Sequence, residues 1–207
     1  MHLPDTRSKQ LWLLTGLGAL SIIPVILASA FTLPLAEAAG SPRAQIAVLA
    51  FIGSSLPEEA VRFALLYAVG MRWIGIARPR DGILFGLLVA LGFSAAENLF
   101  YGLSIGWVTG ALKLVVATPI HIALGVTMGG SLAAAALSPR HRNGWLAAAF
   151  AAPLLLHGAY DLVLFTALVD VDAATIGRLT APALVYLLIA ATAILTVLRT
   201  RQTSLTA

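Results

Sequence analysis

Six long apolar blocks constrain this chain more than any other feature: residues 11–33, 44–70, 82–105, 111–137, 145–168 and 179–198. A helix needs about 20 mostly apolar residues to cross the hydrocarbon core of a bilayer. Hydrocarbon offers no hydrogen bonds, so each crossing segment must satisfy its backbone internally, as a helix does. The pattern predicts an all-α, polytopic bundle of about six transmembrane helices, with residues 1–207 forming a single integral membrane domain. Only 11% of the 207 residues are charged, against about a quarter in soluble domains, which excludes an ordinary soluble core.

The separators carry turn or charge signals, and their basic residues are unevenly divided. Arg7, Lys9, Arg72, Arg78, Arg80, Arg140, Arg142, Arg199 and Arg201 fall on one side of the blocks. Arg43, Lys113 and Arg178 fall on the other, and Arg62 lies within a block. Positive charge accumulates on the cytoplasmic side, so both termini are expected in the cytoplasm of a multi-pass cell-membrane protein. The first block resembles a signal peptide, with Arg7 and Lys9 before it and Ala28-Ser29-Ala30 near its end. Its apolar run outlasts the roughly 7–15 residues of a signal core, which predicts an uncleaved anchor. The net charge of +4 does not point to nucleic acid, because the basic residues sit in short loops. With no cysteine there is no disulfide framework, thiolate metal site or cysteine nucleophile.

Ionisable groups inside such blocks are costly and call for a reason. Glu58, Glu59, Glu97 and Asp161 lie within predicted spans, as do His121, His157, Arg62 and Asn98. Counted from the extracytoplasmic ends at about 1.5 Å per residue, Glu58, Glu97, His121, His157 and Asp161 share a slab about 10–20 Å deep. Four helices therefore bring polar groups to one level, as an inward-facing cluster around a wet cavity would require. Glu58 and Arg62 are spaced to pair on one helix face, while Glu59 points about 100° away. Arg62 is either a counter-ion for Glu58 or part of the site. His157 and Asp161 share the same four-residue spacing, so Asp161 can orient the imidazole or stand beside it as a ligand. Of the neighbours Glu97 and Asn98, only one can face the cluster, and Asn98 also reads as an interhelical hydrogen bond. Gly125 and Gly129 follow His121 as a small-residue stripe that admits a close helix neighbour.

Two hydrolytic routes fit these residues. Glu97, His121 and His157 could hold a zinc ion while Glu58 or Glu59 acts as general base, since two histidines and a carboxylate with an open position suit catalytic zinc. Alternatively a glutamate takes the proton without a metal and His, Asn or Arg stabilises the oxyanion. The zinc motif His-Glu-x-x-His is absent. A different class of function also fits: a small transporter or channel relaying protons or a divalent cation through the same cluster. Pro57, Pro119 and Pro153 interrupt three spans as transporter helices often are, but the two halves share no repeat, which favours the enzyme.

Four motifs in order on successive spans carry a family resemblance: Pro57-Glu58-Glu59-Ala60-Val61-Arg62, Gly92-Phe93-Ser94-Ala95-Ala96-Glu97-Asn98, His121 opening a small-residue stretch, and His157-Gly158-Ala159-Tyr160-Asp161. Together, across about residues 50–168, they resemble the PrsW family of intramembrane proteases. More distantly they are similar to the CAAX-prenyl endopeptidases and bacteriocin-processing membrane proteases. The resemblance implies a multi-pass protease acting on membrane-anchored proteins such as anti-sigma factors. Carried over by position, it implies Glu58, Glu59, Glu97, His121 and His157 as site residues, with Asn98 beside Glu97. The basic residue after the paired glutamates is often lysine in that family and is Arg62 here. Arginine keeps its charge, which argues against proton shuttling at that position.

Overall fold

A computed structural model describes residues 6–169 and Thr192; the expected sixth span, 179–198, lies outside the described residues. The described chain is helical throughout, with no strand among the described residues. Helix α1 (Thr6–Leu20) runs into α2 (Ile22–Glu37) with a break at Ser21. Pro24 explains the break: its ring excludes the carbonyl of Leu20 and leaves it without a helical donor. The two helices form one apolar path over the expected first span.

The second stretch is a run of changing pitch. α3 (Pro42–Val48) leads into a π-helical segment (Leu49–Ser55), then α4 (Leu56–Leu65), then a second π-helical segment (Leu66–Gly75). Pro57 stands at the first turn of α4, where the missing N–H costs least, and the widened turn before it accommodates its ring. Glu58 and Glu59 follow at once, so the irregular backbone sits beside the polar groups it delivers. α5 (Pro79–Ser104) and α6 (Trp107–Leu137) form an antiparallel hairpin closed at Gly106, whose φ of 138° suits glycine alone. α7 (Arg142–Val169) completes the described bundle.

Four helical paths among the described residues are long and apolar enough to cross a membrane: Arg7–Glu37, Pro79–Ser104, Trp107–Leu137 and Pro139–Thr166. They coincide with the first, third, fourth and fifth expected spans. The path from Pro42 to Gly75 carries Glu58, Glu59 and Arg62 in its middle. Large apolar side chains point outward, with Phe31 80% and Val115 72% exposed, as helices surrounded by hydrocarbon would present them.

Close backbone packing holds α5 against α6. Gly82 and Gly86 lie against Gly129 and Gly125, and a Cβ at any of the four would run into the opposing backbone. The small-residue stripe after His121 thus performs the packing expected of it. An apolar cluster of Leu14, Leu66, Phe85, Val89, Met128 and Leu132 fills the bundle towards the Arg7 end. There Arg7 donates to Asp81 at 3.1 Å, tying the start of α1 to the start of α5.

Candidate active site

Four helices deliver the polar cluster that the sequence places at one level: Glu58, Glu59 and Arg62 from α4, Glu97 and Asn98 from α5, His121 from α6, and His157 and Asp161 from α7. All eight are buried. In three of the four helices a proline lies just before the polar residues, Pro57 before Glu58, Pro119 before His121 and Pro153 before His157. Such prolines interrupt the ladder and let a helix bend towards its neighbours.

The centre is formed by Glu58, His121 and His157, each of which offers one ligand atom within 4.8 Å of the others. Glu58 Oε2 stands 4.0 Å from His121 Nδ1 and 3.9 Å from His157 Nε2. Behind each imidazole is a carboxylate. Glu97 Oε2 accepts from His121 Nε2 at 3.1 Å, and Glu59 Oε1 accepts from His157 Nδ1 at 2.8 Å. A carboxylate only accepts, so those nitrogens carry the protons. In the neutral rings the opposite nitrogens, His121 Nδ1 and His157 Nε2, then turn their lone pairs towards Glu58. This is the outer-carboxylate arrangement that orients metal-binding histidines.

The sequence expectation has Glu97 as a ligand beside His121 and His157. The group able to hold an ion in the structure is Glu58, His121 and His157, and Glu97 stands on the far side of His121, where Lys113 Nζ meets its Oε1 at 2.9 Å. The reason is register: the α5–α6 hairpin brings Glu97 against the outer edge of His121. Glu59 also faces away from the centre, held by His157 and by a short contact with Arg62. Arg62 reaches Glu58 as well, at 3.4 Å, and lies 4.9 Å above the Phe93 ring. It therefore binds both paired glutamates, not Glu58 alone.

Asp161 has two options in the sequence reading, orienting His157 or standing beside it. Its Oδ2 lies 3.5 Å from His157 Nε2, on the side facing Glu58, while Glu59 takes the orienting place. Ser54, from the π-helical segment, donates to the same oxygen at 2.7 Å. Asn98 turns aside, donating through Nδ2 to Thr118 Oγ1 at 2.9 Å, and Ser94 pairs with that hydroxyl at 2.7 Å. Phe93 packs edge-on to His121.

Sequence reasoning missed Lys113, Ser54 and Thr118. Lys113 reads as a basic residue at the extracytoplasmic edge of the fourth span, yet it pairs with Glu97 and covers the Tyr101 ring at 4.2 Å. The signal that could have found it is hairpin symmetry, since Lys113 and Glu97 lie at similar distances on either side of Gly106. Ser54 is one turn before Glu58 and shares its face.

The cluster fits a metal ion on two observations. His121 Nδ1 is buried with no hydrogen-bond partner, a vacancy in the network that a ligand role explains. Four buried carboxylates face two cations, Arg62 and Lys113, a formal excess of two negative charges with the histidines neutral. A divalent cation would balance that excess.

An all-helical bundle with apolar outer faces and a buried Glu-His-His group able to bind a metal is a multi-pass membrane protein with a metal-type site. The chain belongs to the PrsW family: residues 7–196 match the model of the PrsW family intramembrane metalloproteases. Relatives named Protease PrsW include one from Halalkalibacterium halodurans, 34% identical over 115 residues, covering 56% of this chain and 54% of that protein. Another from Shouchella clausii is 30% identical over 148 residues, 72% of this chain and 66% of that protein. A third, from Geobacillus kaustophilus, is 30% identical over 147 residues, 71% and 63% of the two chains. The chain thus spans roughly half to two thirds of the length of these relatives. No solved structure matches it. Membership of this family favours the peptidase reading over the transporter or channel.

Proposed function

We propose that this protein is an intramembrane metallopeptidase that cleaves membrane-anchored proteins with a zinc-activated water. The observation that carries the reading is the convergence of Glu58, His121 and His157 within 4.8 Å, each histidine braced from behind by a carboxylate. In this reading Glu58, His121 and His157 hold the metal. A zinc ion bound there supplies Lewis acidity and a water nucleophile usable at neutral pH. Glu59 and Glu97 keep the two imidazoles in the tautomers that present lone pairs to the centre.

Asp161 is the carboxylate placed to act as general base, because it faces the same side of His157 as Glu58 and is not spent behind a ring. It takes a proton as water adds to the scissile carbonyl, then passes it to the departing amine as the C–N bond breaks. This revises the expectation that Glu58 or Glu59 is the base. The packed helices around the site exclude bulk water from the reaction.

The path Pro42–Gly75 is taken to cross the membrane with the four apolar paths, and residues 179–198 to form a sixth span, with both termini cytoplasmic and the whole chain one membrane domain. The Arg7–Asp81 contact supports this topology, since it joins the N-terminal ends of α1 and α5 on one side. The substrate class is a membrane-anchored protein such as an anti-sigma factor, by similarity to the family.

Metal content by mass spectrometry of detergent-purified protein tests the reading. The expectation is about one zinc per chain, lost in Glu58→Gln and in the double variant His121→Ala/His157→Ala. Cleavage of a membrane-anchored reporter in proteoliposomes should fall with it. A metal-free wild type that still cleaves the reporter would sink the metal reading.

A further inference from the structure

Lys113 belongs to none of the four motifs, yet it closes one wall of the site. We propose that Lys113 is a positioning residue that acts through Glu97 to hold His121 with Nε2 turned outward and Nδ1 turned towards Glu58. The inference rests on the metal-site reading above.

The two oxygens of Glu97 have divided duties. Oε1 meets Lys113 Nζ at 2.9 Å, and Oε2 accepts from His121 Nε2 at 3.1 Å. The carboxylate is 6% exposed, so it needs both partners. Its stem is flexible, and without Lys113 the carboxylate keeps His121 Nε2 as its one remaining partner in the site. A Glu97 that turned away to find another would release His121 Nε2. Lys113 opposes that movement: it precedes His121 on α6 by about 12 Å of helix and draws the carboxylate towards the Gly106 end. The ammonium is fixed in turn by the Tyr101 ring, 4.2 Å away and one turn beyond Glu97 on α5. The Gly102–Gly110 approach near the hairpin's end sets the distance between these helices.

The opposite wall supports the assignment. Arg62 stands behind Glu59, which stands behind His157, in the same order of cation, carboxylate and imidazole. The two imidazoles then meet edge to face at 5.3 Å across the centre. Lys113 is thus the counterpart of Arg62 on the α5–α6 side. A lysine that merely neutralised Glu97 would not be expected to influence the ring behind it, and this separates the two roles.

Two measurements on the full chain in detergent decide the matter. Nitrogen-15 NMR of the histidine rings in metal-free protein reads the tautomer of His121, and zinc titration reads affinity without any activity assay. Wild type should show His121 protonated at Nε2. In Lys113→Met that signature should become mixed, and zinc affinity should fall about 10–100-fold, the usual effect of losing an outer partner. Lys113→Arg, which keeps the charge, should retain both, and Lys113→Gln gives the same test if the methionine variant fails to insert. A wild-type tautomer and affinity in the neutral variants would overturn the inference, and so would equal loss in Lys113→Arg. If wild type binds no zinc yet the tautomer responds to Lys113, the metal reading fails while the positioning role stands.

Discussion

The α4–α7 wall of the site and the α5–α6 wall both run from imidazole to carboxylate to cation, but they are enclosed to different degrees. On the first, His157, Glu59 and Arg62 are all nearly inaccessible, with the Arg62 side chain 1% and Glu59 0% exposed. On the second, Lys113 keeps 24% exposure at the rim. Arg62 reaches the carboxylates of both Glu58 and Glu59 through one nitrogen, Nη2, whereas Lys113 makes one contact with Glu97. A guanidinium, weakly hydrated and always charged, suits an enclosed place beside two carboxylates, and an ammonium suits a more exposed rim. The α4–α7 wall is therefore the enclosed one and the α5–α6 wall the one that opens at its rim. The two histidines also turn opposite nitrogens inward, Nδ1 on one wall and Nε2 on the other, so neither ring can substitute for the other.

The largest effect is expected where the walls meet. Glu58→Gln removes the group that faces both histidines and should abolish zinc binding and reporter cleavage together, while membrane insertion is retained. Asp161→Asn should separate these readouts. Zinc content should stay at the wild-type level while cleavage falls about 10²–10⁴-fold, the usual contribution of a general base. Loss of zinc in Asp161→Asn would make Asp161 a ligand and move the general base to another carboxylate.

The fold and the enclosed α4–α7 wall are far more legible in the sequence than the α5–α6 wall. Four apolar blocks and the ions within them announce membrane helices because length and composition are local properties. Glu59–Arg62 and His157–Asp161 are spacings of three and four residues, which a helix converts directly into neighbours. Glu97–Lys113 and Glu97–His121 cross from helix to helix, and their register depends on how Gly86 and Gly125 let two backbones meet. That is why the sequence does not show Lys113, at a span edge, as a partner of Glu97. Which of Glu58 and Glu97 faces the two histidines has the same origin: both are buried carboxylates, and only packing decides which turns inward.

Arg62→Met should distinguish the walls by stability. It strands two buried carboxylates, and breaking a buried pair in this way costs about 3–5 kcal/mol. Thermal unfolding in detergent should register that loss clearly, and Lys113→Met should cost less because its side chain is partly exposed. Equal losses would mean that exposure does not separate the two cations. A subtler change on the same side is Gly158→Ala. An added Cβ there runs into the ring of Phe51, which must move within the π-helical segment that leads to Glu58. Overpacking of this kind costs about 1–3 kcal/mol, and the checkable outcome is a lower unfolding temperature with zinc still bound.

The smallest expected effect tests whether the α5–α6 wall also contributes chemistry of its own. Asn98 sits next to Glu97 but donates to Thr118 Oγ1, and Thr118 keeps Ser94 as a second partner. Its other amide atom, Oδ1, is buried without a partner. Asn98→Ala loses one hydrogen bond, worth about 1 kcal/mol, and also removes the unpartnered oxygen, which offsets part of that cost. Unfolding temperature should drop slightly, and cleavage should stay within about tenfold of wild type. The contrast with Glu97, its neighbour in sequence, is then complete: one residue braces the ring that faces the centre and the other only joins two helices. If instead Asn98→Ala abolished cleavage with zinc and stability unchanged, Asn98 would be acting on the substrate. The α5–α6 wall would then carry a catalytic group, and its open rim would serve the reaction itself.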